Sequence, residues 1–367
     1  MKRYSLFVVF FSMQENSLLL YGANGYTGEL IARHADQYNL KPILAGRNEA
    51  VLKLLSEHLH FPYKVIDLKN TAELQAALLK VKLVVNAAGP FKFTAKDMVD
   101  GCLQTGTHYI DINSDIAMFE FLKHYDERAQ KAGIMILPGS GFDVVPTDCI
   151  ALLLKKMLPD ATTLKLAFAP LGGGLSHGTA TTMATKLGEG GAVRKNGTIV
   201  HVPLGHKGME VDFGRKKVFV MSIPWGDIST AHFTTGIPDI ETYTRMKPAV
   251  YHLLKFQSLY NWLLRTSLLR NFISKKINQR PAGPTDEMRA KAISLVWGQA
   301  TDQKGNKATA RLSGPDGYTL TTLATLLISQ KILKGNFKPG YQTPASAYGE
   351  DLVLEIPGVN REVIAVP

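Results

Sequence analysis

Ser17-Leu18-Leu19-Leu20-Tyr21 is an apolar run of strand length that leads straight into Gly22-Ala23-Asn24-Gly25-Tyr26-Thr27-Gly28. A helix is expected over about Tyr26–Tyr38. Strand, glycine turn and helix in that order form an anion-binding device. Gly22 permits the tight turn out of the strand. Gly25 lets the backbone approach a pyrophosphate, and Gly28 lets helix and sheet pack closely. The spacing is GxxGxxG rather than GxGxxG, and the context on both sides makes a nucleotide site the expectation. Gly22, Asn24, Gly25, Tyr26, Thr27 and Gly28 are the expected phosphate-side contacts, with Tyr26 and Thr27 able to add side-chain bonds.

The same alternation continues along the first half. Strands are expected at Pro42–Gly46, Lys64–Asp67, Leu83–Ala87, His108–Ile112 and Ile134–Leu137, with helices between them, including Ile116–Ala132. Such alternation means a doubly wound parallel sheet whose strand carboxyl ends share one edge. After Pro146 the pattern changes. Ile150–Met157 reads as a helix. Thr163–Ala169, Thr198–Val202, Lys217–Ile223, Ile228–Thr235, Glu241–Arg245, Ala290–Ala300 and Lys307–Leu312 read as strands, and Gly314-Pro315-Asp316-Gly317 as a turn. Strands without regular helices between them indicate an α+β second domain. Thr343-Pro344 opens a last helix expected to return to the first domain. The expected divisions are a tail at 1–16, a nucleotide domain at 17–148, a second domain at 149–342 and a C-terminal helix and tail at 343–367.

The second strand ends Leu44-Ala45-Gly46-Arg47. A dinucleotide domain selective for an unphosphorylated ribose carries an acid near this point. Arginine suits a 2′-phosphate bidentately instead, so NADP (as NADPH) is the expected cofactor; otherwise Arg47 is a surface cation. Asp67 ends the third strand, where an adenine or ribose contact is expected. Asn86-Ala87-Ala88-Gly89-Pro90-Phe91 ends the fourth, and the small residues Ala88, Gly89 and Pro90 let a cofactor lie across the strand ends.

These motifs occur in order with Gly106-Thr107-His108-Tyr109-Ile110-Asp111, Gly141-Phe142-Asp143-Val144-Val145-Pro146-Thr147-Asp148, Gly283-Pro284-Thr285-Asp286-Glu287-Met288-Arg289 and Thr343-Pro344-Ala345. Together they resemble the saccharopine-dehydrogenase-like oxidoreductases, in the branch that contains the trans-acting enoyl reductases of lipid biosynthesis. The resemblance covers nearly the whole chain after Met13. It implies an NADP-binding Rossmann domain and a substrate domain inserted before a returning C-terminal helix, and it leaves the substrate open.

Hydride transfer needs an acceptor beside the nicotinamide and a nearby proton donor. The candidates are His177, since histidine is the side chain most often used as a proton donor near neutral pH, Asp143 at the exit to the second domain, and Tyr109 at the end of the fifth strand. His177 reads equally as a helix-start residue and Asp143 as a helix cap. Saccharopine dehydrogenases proper bind a polycarboxylate. The cations available for one, Arg194, Lys195, Arg215, Lys216 and Lys217, lie in turn-like contexts that read as solvated surface.

Charge is unevenly placed. Residues 1–150 hold 15 Lys/Arg against 16 Asp/Glu, and residues 151–367 hold 27 against 15. No acid stands between Glu241 and Asp286. This interval interleaves Lys247, Lys255, Arg265, Arg270 and Lys275 with Leu253, Phe256, Trp262 and Leu263. The basic helical segment 247–280 reads either as an interfacial helix on an anionic membrane or as a core helix with a basic outer face. Two distant cysteines, Cys102 and Cys149, exclude a disulfide framework and a CxxC site. No metal-ligand spacing is present, and no nucleic-acid motif accompanies the charge. Lys2-Arg3 before Leu6–Phe11 mimics a leader without a cleavage site, and an upstream start that adds a tail is the expected reading. The leading expectation is an NADP-dependent reductase of a C=C or C=N bond in an apolar or lipid-linked substrate. A cytoplasmic location is expected, and an anionic surface on the inner face of the membrane and a second copy of the chain, as a homodimer, are the further partners considered. The alternatives are a saccharopine-type reductase of a soluble imine and a non-catalytic NADP-binding membrane protein.

Overall fold

The computed structural model describes residues 17–185, 190–256, 266 and 282–364. The expected N-terminal tail at 1–16 and most of the basic segment lie outside them. The first sheet holds β1 (Ser17–Tyr21), β2 (Lys41–Gly46), β3 (Tyr63–Val65), β4 (Leu83–Asn86), β5 (His108–Asp111) and β6 (Met135–Leu137). Their order is β6-β5-β4-β1-β2-β3, all parallel, as the alternation predicts. The connecting helices are α1 (Tyr26–His34), α2 (Glu49–Leu59), α3 (Thr71–Leu78), α4 (Ala95–Thr105), α5 (Ile116–Lys123) and α6 (Asp126–Ala132). Asn48 and Asn70 cap α2 and α3 through side-chain oxygens that accept from Val51 and Glu73 N–H. Leu18, Leu19, Leu20, Val84, Val85 and Ile110 are fully buried, because helices cover both faces of the sheet.

From β6 the chain passes through α7 (Val145–Met157) into a second sheet. Its strands are β7 (Thr163–Leu171), β8 (Gly191–Lys195), β9 (Thr198–Val202), β10 (Gly208–Asp212), β11 (Lys217–Ser222), β12 (Asp239–Arg245), β13 (Ile293–Thr301) and β14 (Lys307–Pro315). β7 and β12 run parallel at its centre, and the neighbours pair antiparallel. Among the described residues, the helices of this part are α8 (His177–Thr185), α9 (Asp227–Thr235), α10 (Pro248–Lys255) and α11 (Asp286–Lys291). β8 turns into β9 at Asn196-Gly197, both with positive φ (50° and 76°), the geometry that an Asn-Gly hairpin turn adopts.

Three expectations are corrected here. Ile228–Thr235 is not a strand but most of α9, a helix buried against α7. Its β-branched residues favour strands locally, and packing overrides that preference. The turn at Gly314–Gly317 opens α12 (Gly317–Leu333), capped by Asp316, whose carboxylate accepts from Tyr318 N–H at 2.9 Å and Thr319 N–H at 3.3 Å. This 17-residue helix is the element that returns to the first domain, packing on α1 and β4. The C-terminal stretch contributes the short helix α13 (Pro344–Tyr348) instead. It sits between β15 (Gly340–Tyr341), a seventh parallel strand beside β6, and β16 (Asn360–Ile364), which pairs with β14 in the second sheet. The last strand therefore belongs to the second domain.

One apolar core runs through both parts. It joins Leu18, Leu20, Ile31 and Ile110 of the first sheet to Leu164, Leu166 and Val296 of the second through Ile150, Leu154, Leu326 and Ile328. The expected boundary at 148 falls inside α7, whose residues Val145–Ala151 are all buried.

Candidate nucleotide and reaction site

The glycine turn is shaped by what its glycines touch. Gly22 has φ +87°, and a Cβ there would stand 2.7 Å from Ala88 N, against the end of β4. A Cβ on Gly28 would stand 2.2 Å from Gly22 O. A Cβ on Gly25 would meet only Gly22 O, at 3.3 Å, and otherwise project into open space. Gly22 and Gly28 are thus required by the protein's own packing. Gly25 leaves a cradle that a side chain would fill, in front of the first turn of α1. The N–H groups of that turn have no partner within the helix, so the cradle suits a pyrophosphate. The Asn24 side chain lies across Gly46, where a Cβ would stand 2.7 Å from Asn24 Oδ1.

At the end of β2, Arg47, Asn48, Glu49, Ala50 and Lys53 line a shallow open depression. Arg47 is exposed there, with Lys53 as a second cation on the first turns of α2. This position fits a 2′-phosphate on the ribose of a dinucleotide whose pyrophosphate lies at Gly25. Asp67 is exposed, and its Oδ1 accepts from Lys69 N–H at 3.0 Å in the turn before α3. Ala88 N–H donates to Asn86 Oδ1 at 3.1 Å, Ala88 O accepts from Thr94 Oγ1 at 2.8 Å, and Gly89 and Pro90 stand exposed beside it. The cradle, the cationic end of β2 and the small residues after β4 lie along one carboxyl edge, where open α/β sheets bind ligands.

The proton-donor candidates separate. Tyr109 is fully buried; its hydroxyl donates to Asp111 Oδ2 at 2.7 Å and accepts from Asn86 Nδ2 at 3.3 Å. Burial pushes this phenol well above its ordinary value. In this structure it braces β4 and β5 from the interior. Asp111 in turn accepts from Asn113 and Gly139 N–H, and burial raises it to about 6.

His177 begins α8, and its backbone N–H donates to Ala282 O at 2.8 Å. No described hydrogen bond joins it to Asp143 or Tyr109.

Asp143 lies where the chain leaves the first sheet. Burial raises its carboxyl to about 6, against a weaker opposing hydrogen bond from Ser114. Its backbone carbonyl accepts from Trp225 Nε1 at 2.9 Å. Trp225 packs on Phe168 at 4.8 Å between ring centroids, and Phe168 meets Phe142 edge-on at 5.9 Å. Behind this wall two further acids are buried. Asp227 accepts from Thr147 Oγ1 at 2.6 Å and, among the described residues, has no partner for Oδ2; burial holds it well above the usual carboxylate range. Asp148, raised to about 6 by burial, accepts from Thr234 Oγ1 at 2.6 Å and Ala345 N–H at 2.8 Å.

Residue-by-residue reading missed Ser114, Trp225 and Asp227, since they come from distant loops and one misassigned element. It also misplaced Arg194. That side chain is buried, donating to Ile228 O and Gly197 O at 2.6 Å each and to Glu120 Oε1 at 3.0 Å. Its charge is spent inside the fold, and Lys195 pairs with Asp239.

Fold and site together give an α/β protein whose first sheet carries the glycine turn and carboxyl edge of a dinucleotide-binding domain, joined to a second sheet domain. Residues 18–137 match the family model of the saccharopine dehydrogenase NADP binding domain. A mouse saccharopine dehydrogenase-like oxidoreductase is 27% identical over 203 residues, covering 48% of this chain and 47% of the relative. A trans-acting enoyl reductase of Mycobacterium ulcerans is 28% identical over 146 residues, covering 37% and 35%. The matched region thus spans about half the length, or less, of these curated relatives. The solved structure of apo saccharopine dehydrogenase (L-Glu forming) from Saccharomyces cerevisiae superposes with a TM-score of 0.66 at 13% identity, covering 95% of this chain and all of that one. That likeness shows that the two-domain fold is shared.

Proposed function

We propose that this chain is an NADPH-dependent oxidoreductase acting on a C=C or C=N bond of an apolar or lipid-linked substrate. The observation that carries the cofactor is the Gly25 cradle followed by Arg47 at the end of β2. Bound there, the cofactor supplies the hydride. Gly25 and the first turn of α1 would hold its pyrophosphate, Arg47 and Lys53 its 2′-phosphate on the β2 side, and the edge at Ala88–Pro90, on the β4 side of β1, its nicotinamide half. Phe142 and Trp225, half-buried around the buried Phe168 ring, offer uncharged ring surface that favours an apolar acceptor. None of the cations at Arg194, Lys195 or the exposed β10–β11 turn serves this edge, which ranks a polycarboxylate substrate lower.

Asp143 is the proposed proton donor. A carboxyl raised to about 6 is mostly protonated below that pH, and its acid form falls about tenfold for each unit above it. Turnover limited by this proton should therefore decline as pH rises through about 6. NADPH oxidation is to be followed with lipid extracts and, separately, with amino-acid/oxo-acid pairs. Asp143→Asn should cut kcat/KM about a hundredfold, the usual size of a general-acid effect, and flatten the pH profile. An unchanged profile removes Asp143 from the reaction. Turnover with oxo-acid pairs alone moves the substrate to the soluble imine class. Dinucleotide binding without any turnover supports the non-catalytic alternative.

A further inference from the structure

The stretch Gly283–Lys291 lies across α1 as a strap from the second domain, and the side chain it grips is Tyr26 of the glycine turn. Tyr26 Oη donates to Pro284 O at 2.6 Å and accepts from Arg289 Nη1 at 2.8 Å. The same Arg289 Nη1 donates to Pro284 O at 3.0 Å, and Nη2 donates to Asp286. A Cβ on Gly283 would stand 2.5 Å from the Tyr26 ring, so only glycine permits this approach. On the other side the ring meets Tyr318 edge-on at 5.0 Å, and the Tyr318 hydroxyl accepts from Ser176 N–H at 2.7 Å. Two turns further along α1, Arg33 forms a two-point ion pair with Asp286, at 2.7 and 3.3 Å. Arg289 is 9% exposed.

The Tyr26 hydroxyl is therefore committed to the second domain, and what Tyr26 can offer a dinucleotide is its backbone N–H. That N–H, with those of Thr27 and Gly28, belongs to the first turn, where helix donors lack internal partners and aim along the axis. A tilt of α1 turns all of them away from a phosphate at once.

We propose that Arg289 is a positioning residue for the dinucleotide: it holds Tyr26, and through Tyr26 the first turn of α1, in the orientation that receives the pyrophosphate. This rests on the NADPH reading above. It makes the second domain part of the nucleotide site, and dinucleotide binding tightens the strap in return.

The test uses the full chain with NADPH, dissociation constants from calorimetry and melting temperatures as controls. Arg289→Leu should weaken NADPH binding about tenfold, and Arg289→Lys, which keeps one donor and the charge, should retain most of the affinity. Tyr26→Phe keeps the ring and loses the hydroxyl, and it should weaken binding comparably. The double variant should bind no worse than the weaker single one, since both act through one contact. Amide exchange across 283–291 should slow when NADPH binds wild type and not when it binds Arg289→Leu. Wild-type affinity in folded Tyr26→Phe, fully additive losses, or exchange in the strap indifferent to NADPH would each overturn the proposal. If Arg289→Leu does not fold, Tyr26→Phe decides it alone. A wild type that binds no dinucleotide fails earlier and overturns the NADPH reading itself.

Discussion

Arg47 and Gly25 bear on a dinucleotide in opposite ways, one by offering a charge and the other by offering nothing. An arginine on a phosphate makes charge-assisted bonds worth roughly 1.5–3 kcal/mol each, and solvent at an exposed site trims this. Arg47→Asp should weaken NADPH binding tenfold or more in equilibrium titration while NADH binding stays nearly constant. Equal retention of both cofactors would return Arg47 to the plain surface. Gly25→Val should abolish binding of both dinucleotides with the melting temperature held, because its side chain occupies the cradle. Gly22 and Gly28 are poor choices for the same experiment. Their Cβ atoms would collide with backbone, and loss of binding would then report misfolding.

At the scale of one element, α10 is the part of the basic stretch that can be judged. Tyr251 is buried and packs on Phe219 of β11, while Val250, Leu253 and Phe256 stand 37%, 62% and 60% exposed. Lys247 precedes the helix; Arg215 and Lys216 are exposed in the turn before β11, and Lys217, the first residue of β11, is exposed as well. Apolar side chains outward beside cations suit an anionic bilayer surface, and we propose such a surface as the partner of this helix. Among the described residues no helix is long and apolar enough to cross a membrane. Trp262, Leu263, Arg265, Arg270 and Lys275 lie outside those residues. Sedimentation with vesicles rich in anionic lipid should show binding that weakens as salt rises, because the Debye length falls from about 10 Å at 0.1 M to about 3 Å at 1 M. Leu253→Ser with Phe256→Ser should reduce binding and leave the melting temperature within a degree or two. A protein that stays in the supernatant at low salt excludes the lipid surface.

For the whole molecule, the continuous core through α7 and α12 predicts one cooperative unfolding transition rather than two. Leu326 is fully buried within it. Leu326→Ala should cost about 2–5 kcal/mol, the usual range for a large-to-small core change, and should shift a single calorimetric peak. Two resolved peaks, with only one moving, would mean that the sheets unfold independently. The shared core also bears on the proposed reaction. Asp143 on one part and Trp225 on the other stay in register because α7 and α9 pack together between them.

The nucleotide half was legible along the chain because its information is local. A five-residue apolar strand, three glycines at fixed spacing and an amphipathic helix are written consecutively, and each strand–helix repeat restates the parallel order. α12 was illegible for the opposite reason. Buried on nearly every side, its run Gly317–Leu333 shows little of the one-sided polarity by which a surface helix announces itself. α9 misled because Thr and Ile favour strands until burial decides otherwise. The reaction edge was only partly readable. Asp143 and its motif stand in the sequence, but Ser114, Phe168 and Trp225 reach it from loops and strands up to 111 residues apart. Arg194 shows the same limit, since a cation beside an Asn-Gly turn looks solvated until Glu120 and Ile228 arrive from elsewhere. Local backbone preference and spacing set where a phosphate can lie. Which side chains face a substrate, which charges are spent internally and which glycine strap grips Tyr26 are settled by long-range packing, because that packing alone determines the solvent and the partners each group meets.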